Sequence, residues 1–213
     1  MNPSPIRNCL ILCLTAVFFL LPGCTRKAGT GSIVVTGLTG SAEKSTQSGW
    51  EKTSPGDRIG ENQLIRTLDN STIDLSLFGQ VGIRLLAGSE FNPASIAPSQ
   101  MNFKMNNGNI LVRVGKLSQG TGVSVETPTA VASVRGTQFW GQVNRADRTG
   151  VFAVREGNLH IKSISSGAET DIEAGRAVDL TPGAEKLETR PAKEGELQAM
   201  NQIDDIKILP ESP

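Results

Sequence analysis

From Ser32 to about Pro182 no apolar pattern of helical period lasts ten residues, which restricts the fold more than any other feature of the chain. Short alternating or compact apolar runs recur instead. They fall at Ser32–Thr36, Thr72–Leu77, Gln80–Leu86, Met101–Met105, Asn109–Val114, Gly122–Glu126, Thr137–Val143, Val151–Arg155 and Asn158–Ile164. Each has the length and period of a half-buried strand. Between them stand residues that accept positive φ or bond their own backbone in turns: Asp69-Asn70-Ser71, Asn106-Asn107-Gly108, Glu156-Gly157-Asn158 and Ser165-Ser166-Gly167. The fold class is all-β.

A turn residue followed by an alternating strand recurs at Asn70–Leu75, Gly108–Val112, Gly157–Ile161 and Gly175–Leu180, with unequal spacing. This is not an array of fixed period. It suits a sheet that winds on itself, a short-strand β-roll or irregular β-solenoid, with a two-sheet immunoglobulin sandwich as the alternative. Beyond Pro182, residues 183–193 are charged and read as irregular. Glu194–Lys207 spaces Leu197, Met200, Ile203 and Ile206 three apart, on one side of an amphipathic C-terminal helix. That helix is expected to cover an open end of the β-domain, with docking of a partner as its other role.

The N-terminus reads as an export signal. Arg7 precedes an uncharged apolar run, Cys9–Leu21, which is shorter than the roughly 20 residues of a membrane span. Leu21-Pro22-Gly23-Cys24 closes it and resembles the bacterial lipobox, with Pro22 a mild departure. The resemblance implies cleavage before Cys24, thioether lipidation of that cysteine and acylation (palmitate-type chains) of the new amino terminus. The expected organisation is 1–23 signal peptide, 24–31 lipidated tether, 32–182 β-domain, and 183–213 charged linker and C-terminal helix. Cys9 and Cys13 leave with the signal and Cys24 takes the lipid, so no thiol remains for a disulfide or a metal. Apart from Arg7, the 21 basic and 21 acidic side chains all follow Gly23, a near-zero balance that speaks against nucleic acid and polybasic lipid contact. Thr25 stands where an aspartate commonly signals inner-membrane retention, so delivery to the outer membrane, facing the periplasm, is expected.

Within the β-domain, Thr127–Phe139 reads T-P-T-A-V-A-S-V-R-G-T-Q-F. This stretch resembles the core of the FecR domain family, matched at Thr127, Pro128, Ala130, Val134, Arg135, Gly136, Thr137 and Phe139. Pro55–Ile59, Ser71–Leu75, Gly88-Ser89, Val154–Leu159 and Glu173–Val178 resemble its other segments, so the likeness covers about 33 to 180. Two positions depart from the pattern: Asn70 stands where glycine is usual, and Arg176 where glutamine is. The family implies an exported β-rich domain that works through protein contacts without catalysis. Its sensor members carry a cytoplasmic anti-sigma segment before a membrane span. Here only eight residues precede the apolar run, so direct sigma-factor control is not expected.

Arg135 sits among apolar residues and a glycine, which favours a guanidinium satisfied by backbone carbonyls over a surface anchor for a partner carboxylate. Phe139 and Trp140 are adjacent in a strand, so Phe139 should point inward and Trp140 outward. Trp140 is therefore the candidate partner contact, although Trp140 and Trp50 both read first as core or sheet-covering residues. His160, between Leu159 and Ile161, should be solvated. One histidine and no free thiol leave neither a zinc site nor a Cys-His pair, and no Gly-x-Ser-x-Gly elbow or phosphate loop is present. No catalytic residue, metal or cofactor is expected. The expected partners are the bilayer, through Cys24, and an envelope protein. The alternatives are a surface-exposed adhesin and a cell-wall glycan binder, the last calling for a basic-aromatic groove.

Overall fold

The computed structural model describes residues 31–210. The signal peptide, Leu21, Pro22, Gly23 and the lipidation site Cys24 lie outside the described residues. The first half of the chain forms β1 (Ile33–Thr39), β2 (Ala42–Thr46), β3 (Gly49–Lys52), β4 (Arg58–Ile59), β5 (Ile65–Thr67), β6 (Thr72–Leu77), β7 (Val81–Leu85) and β8 (Glu90–Ala97). A 15-residue strand follows, β9 (Gln100–Val114). The second half forms β10 (Gly122–Glu126), β11 (Ala130–Val134), β12 (Gln138–Asn144), β13 (Thr149–Glu156), β14 (Asn158–Ser163), β15 (Glu169–Glu173), β16 (Arg176–Leu180) and β17 (Thr189–Pro191).

These strands make one continuous sheet that folds over into two facing layers. Layer A runs β4-β1-β6-β7, then the end of β9, then β12-β13-β16-β17. Layer B runs β3-β2-β5-β8, then the start of β9, then β10-β11-β14-β15. The chain crosses between layers every strand or two, as a winding sheet must. Among the described residues only β9 and β10 pair in parallel. The all-β reading and its C-terminal helix hold, and the roll describes the path better than an immunoglobulin sandwich, although two layers do face one another.

Period-two alternation sends one set of side chains from each layer into a shared core. Ile83, Val112, Phe139 and Phe152 come from layer A, and Phe91, Phe103, Val125 and Ile161 from layer B. The rings meet in tilted pairs, Phe91 with Phe103 at 5.3 Å and Phe139 with Phe152 at 6.0 Å between centroids. Burying each such side chain stabilises by about 1.5–3 kcal/mol, which suffices for a domain without cross-links.

Asn106-Asn107-Gly108, expected as a turn, lies within β9 and does not reverse the chain. Gly108 adopts φ 96°, and a Cβ there would stand 2.5 Å from the Ser89 Cα. Only glycine allows the kink that carries β9 out of layer B, where Asn107 pairs with Glu90, into layer A, where Gly108 pairs with Val143. The Ser89 hydroxyl donates to the Asn109 carbonyl and accepts from its N–H, both at 3.0 Å, fixing the corner.

The C-terminal segment also differs from expectation. The linker 183–193 contributes β17, and the helix is shorter: α1 (Glu194–Asn201), then a 3-10 turn over Gln202–Asp205. It covers the outer face of layer A instead of an open end. Met200, Ile203 and Ile206 pack on Leu111, Trp140, Ala153 and Ala177, forming a second apolar cluster separate from the core. Leu197, at the same spacing, is 40% exposed. Past the 3-10 turn the chain continues across the layer, Thr36 donating to the Lys207 carbonyl at 3.1 Å and Leu209 N–H to Ser76 Oγ at 2.9 Å. Residues 193–209 are thus a strap laid across the strands from β17 to β1.

Candidate interaction surface

The Thr127–Phe139 stretch builds two corners of the roll. At the first, the Thr127 hydroxyl accepts from the Ala130 N–H and donates to its carbonyl, both at 3.0 Å, closing the β10–β11 turn around Pro128. Ala130 and Val134 then point into the core. At the second, the chain passes from β11 in layer B to β12 in layer A. Gly136 takes φ 67° there, and the fully buried Thr137 donates to the Asn158 carbonyl at 2.8 Å. Gly157, at the return crossing from β13 to β14, presses on it: a Cβ on Gly157 would stand 2.8 Å from the Gly136 carbonyl oxygen. Phe139 anchors the crossing in the core.

Two expectations about this stretch are corrected. Trp140 does point opposite to Phe139, but it is only 7% exposed, because the strap lies over it. It is no free contact for a partner, and among the described residues its indole N–H has no acceptor. Arg135, expected to be satisfied by backbone carbonyls, is exposed instead. Among the described residues every arginine except Arg113 and Arg135 makes a side-chain hydrogen bond. The positive φ at Gly136 bends the backbone inward just after Arg135, leaving its side chain on the outer surface of layer B.

There Arg135 borders an open groove of about 450 Å³, with Gln100, Ser133, Asn158, His160 and Asp171 among its other walls. The groove follows from register. Asn102, Ser124, Ser133, His160 and Asp171 lie opposite one another on five adjacent strands, all facing outward. Ser124 Oγ donates to Asn102 Oδ1 at 2.7 Å, and His160 Nδ1 is 3.0 Å from Asp171 Oδ1. In the next row, Lys162 pairs with Glu169 and holds its carboxyl below the usual range through a direct hydrogen bond. Ser133, His160 and Asp171 share a row and have the residue types of a catalytic triad, but not its geometry. His160 Nε2 approaches Glu169 Oε2 at 3.7 Å, and among the described residues it makes no hydrogen bond to Ser133 of the kind a triad uses. His160 is outward and partly solvated, as its strand position requires.

The other half of the same face carries a pair with no signal in the sequence. Trp50, on edge strand β3, is 40% exposed, and the Arg66 guanidinium lies 4.0 Å from its ring centroid. Glu43 pins that guanidinium, with Arg66 Nε donating to Oε2 at 2.7 Å. A second hollow of about 430 Å³ lies alongside, bordered by Arg66, Glu90, Asn107, Asn144 and Arg145. Among the described residues no group of three or more His, Cys, Asp or Glu side chains could hold a metal ion. Among them, too, no helix is long and apolar enough to cross a membrane.

A family model described as FecR protein matches residues 63–160, a span that includes both corners, Arg135 and His160 but neither Trp50 nor the strap. No curated protein matches the chain. Among solved structures, two crystal structures of a candidate anti-sigma factor from Parabacteroides distasonis ATCC 8503, at 1.65 and 2.50 Å, share the fold. Each is 16% identical, with a TM-score of 0.56 over 65% of this chain. The likeness spans 64% of that protein's length.

Proposed function

We propose that the chain is a lipid-anchored lipoprotein of the bacterial cell envelope, held by acylated Cys24. Its FecR-type domain docks an envelope protein, without catalysis, in envelope sensing or assembly. The observation that carries this reading is the asymmetry of the two faces: the strap occupies layer A, while layer B is open and presents Arg135, which has no partner among the described residues. The FecR match over 63–160 and the fold shared with the candidate anti-sigma factor support a regulatory, contact-making role.

Placement supports it too. The chain enters β1 against Phe78 and Ile96, at the end of the roll where Gln100 and Arg135 lie. A tether from Cys24 reaches at most about 25 Å at ~3.5 Å per residue, so the groove would sit close to the anchoring bilayer, the outer membrane on its periplasmic side. A cell-wall glycan or surface-binding role is the second reading, favoured by the exposed Trp50 ring beside Arg66. A photo-crosslinking residue at Ser133, with a control at Gln198 on the outer side of the strap, tests the first. We expect a discrete protein adduct from Ser133 alone. Equal adducts from both sites, or none from either, would refute docking at this groove.

A further inference from the structure

We propose that edge strand β3 is a docking site for an extended segment of a partner protein, which adds as a further strand to layer B and packs on Trp50. The inference rests on the interaction-module reading and gives it a second site, outside the span matched by the family model.

Three observations carry it. First, β3 pairs only with β2 among the described residues, and all four of its residues are exposed. Its other side presents unpaired backbone N–H and C=O groups, which an extended chain satisfies along its whole length and which a sugar or a helix does not match. Second, the strand carries a prepared anchor. Trp50 is held by Arg66, which reaches across β2 and is itself fixed by Glu43. Tryptophan and arginine are the residues that most often dominate interface energies, and an anchor already immobilised loses little entropy on binding.

The third observation is charge. Lys52 lies opposite Glu43 in the β2–β3 register, but Glu43 is taken by Arg66. Glu51 lies opposite Lys44, which is taken by Asp57. Lys52 and Glu51 therefore make no ion pair among the described residues, although each has an opposite charge across the ladder. An antiparallel strand on the free side would meet Lys52, Glu51 and Trp50 in turn. The chemistry that fits is an acid, then a base, then an apolar or aromatic residue.

The test uses the full chain and a synthetic peptide, acetyl-Thr-Glu-Lys-Phe-Thr-Val-amide, as probe. Amide hydrogen exchange is read across Gly49–Lys52. We expect saturable protection confined to this edge and its neighbours, lost when alternate peptide nitrogens are methylated. Trp50→Ala should weaken binding at least tenfold. Its exposure keeps the fold intact, and an unchanged thermal midpoint verifies this. Lys52→Glu should weaken the probe, and the peptide with lysine in place of its glutamate should recover on that variant. Absence of protection at Gly49–Lys52, no effect of Trp50→Ala, or failure of the charge swap would each overturn the proposal. So would a cell-wall muropeptide oligosaccharide that protects the Trp50 ring where the peptide does not. A Ser133 adduct without peptide protection would reject this edge and leave the interaction module standing. Peptide protection without a Ser133 adduct would support the edge and move the module's contact away from the groove.

Discussion

Replacing Ile203 by alanine isolates what the strap contributes. Ile203 is fully buried, but in the small cluster between the strap and layer A, apart from the main core. Truncating a buried isoleucine costs about 2–5 kcal/mol in a core. One side of this site is a thin strap that can settle inward, so the lower part of that range, about 2–3 kcal/mol, applies. An eight-residue helix is not stable alone, so α1 is ordered only while docked. Met200, Ile203 and Ile206 each bring about 2 kcal/mol of burial to that docking. Arg155 adds bonds to the Met200 carbonyl at 3.2 Å and to Asp204 at 2.6 Å. Because the two apolar clusters are separate, the strap should open without the sheet. The lost burial then raises its open population about 30- to 150-fold, at about 1.4 kcal/mol per tenfold. Hydrogen exchange read by mass spectrometry should show residues 194–206 exchanging faster by that factor, with β9 and β12 unchanged. If strap amides exchange as in the parent, or if β12 accelerates in step with them, the strap is not a local unit and the reasoning fails.

At the paired crossings, Gly136→Ala should cost about 1–2 kcal/mol, from left-handed backbone alone, since a Cβ there meets only the Gly115 carbonyl at an ordinary 3.6 Å. Gly157→Ala adds a 2.8 Å clash with the Gly136 carbonyl and should unfold at clearly lower urea concentration; equal midpoints would contradict the packing account. Arg190 bonds both Asp179 and Glu196 and holds both carboxyls below their ordinary values of 3.8 and 4.5. Depressed carboxylates stabilise above the unfolded values and lose that contribution as pH falls through the folded ones. Strap protection should therefore be flat from about pH 7 to 5, then decline below about 4.5, and Arg190→Gln should flatten the decline. Cys24→Ala should leave the circular dichroism spectrum of the β-domain unchanged and release the protein from washed membranes; a variant that still sediments with them removes lipidation as the anchor.

What the sequence revealed was whatever depends on local alternation. The strands at Thr72–Leu77 and Gly122–Glu126 were legible to the residue, because each puts two or more apolar side chains on the core face. The strands β2 and β3, AEKST and GWEK, were not. They are the outermost pair of layer B, with β3 at the edge, and their inward Lys44 is satisfied by Asp57 instead of by apolar packing, so no apolar period marks them. The threefold spacing of Met200, Ile203 and Ile206 gave the buried side of the strap. It could not show that Leu197 overhangs, or that the surface beneath is Trp140, which is sixty residues earlier in the chain. Arg135 was misread for a related reason: apolar neighbours suggested enclosure, whereas alternation in β11 and the turn at Gly136 place it outside. Trp50 and Arg66 meet only because β2 separates their strands in layer B, an order that no short motif encodes.

The double membership of β9 has a consequence for how the molecule assembles. Among the described residues, β1–β8 pair with one another and with β9 alone, β10–β17 likewise, and β9 is the junction in both layers: with β8 and β10 in one, with β7 and β12 in the other. Until β9 is placed, the first half exposes raw hydrogen-bonding edges at β7 and β8 together, the condition under which partly folded β-proteins aggregate. The late, long-range closure of β9 is thus the natural slow step of folding. A residue with a side chain at Gly108 would strain the folded corner and block that closure in both layers at once, so a lower yield of soluble protein should accompany its lower melting temperature.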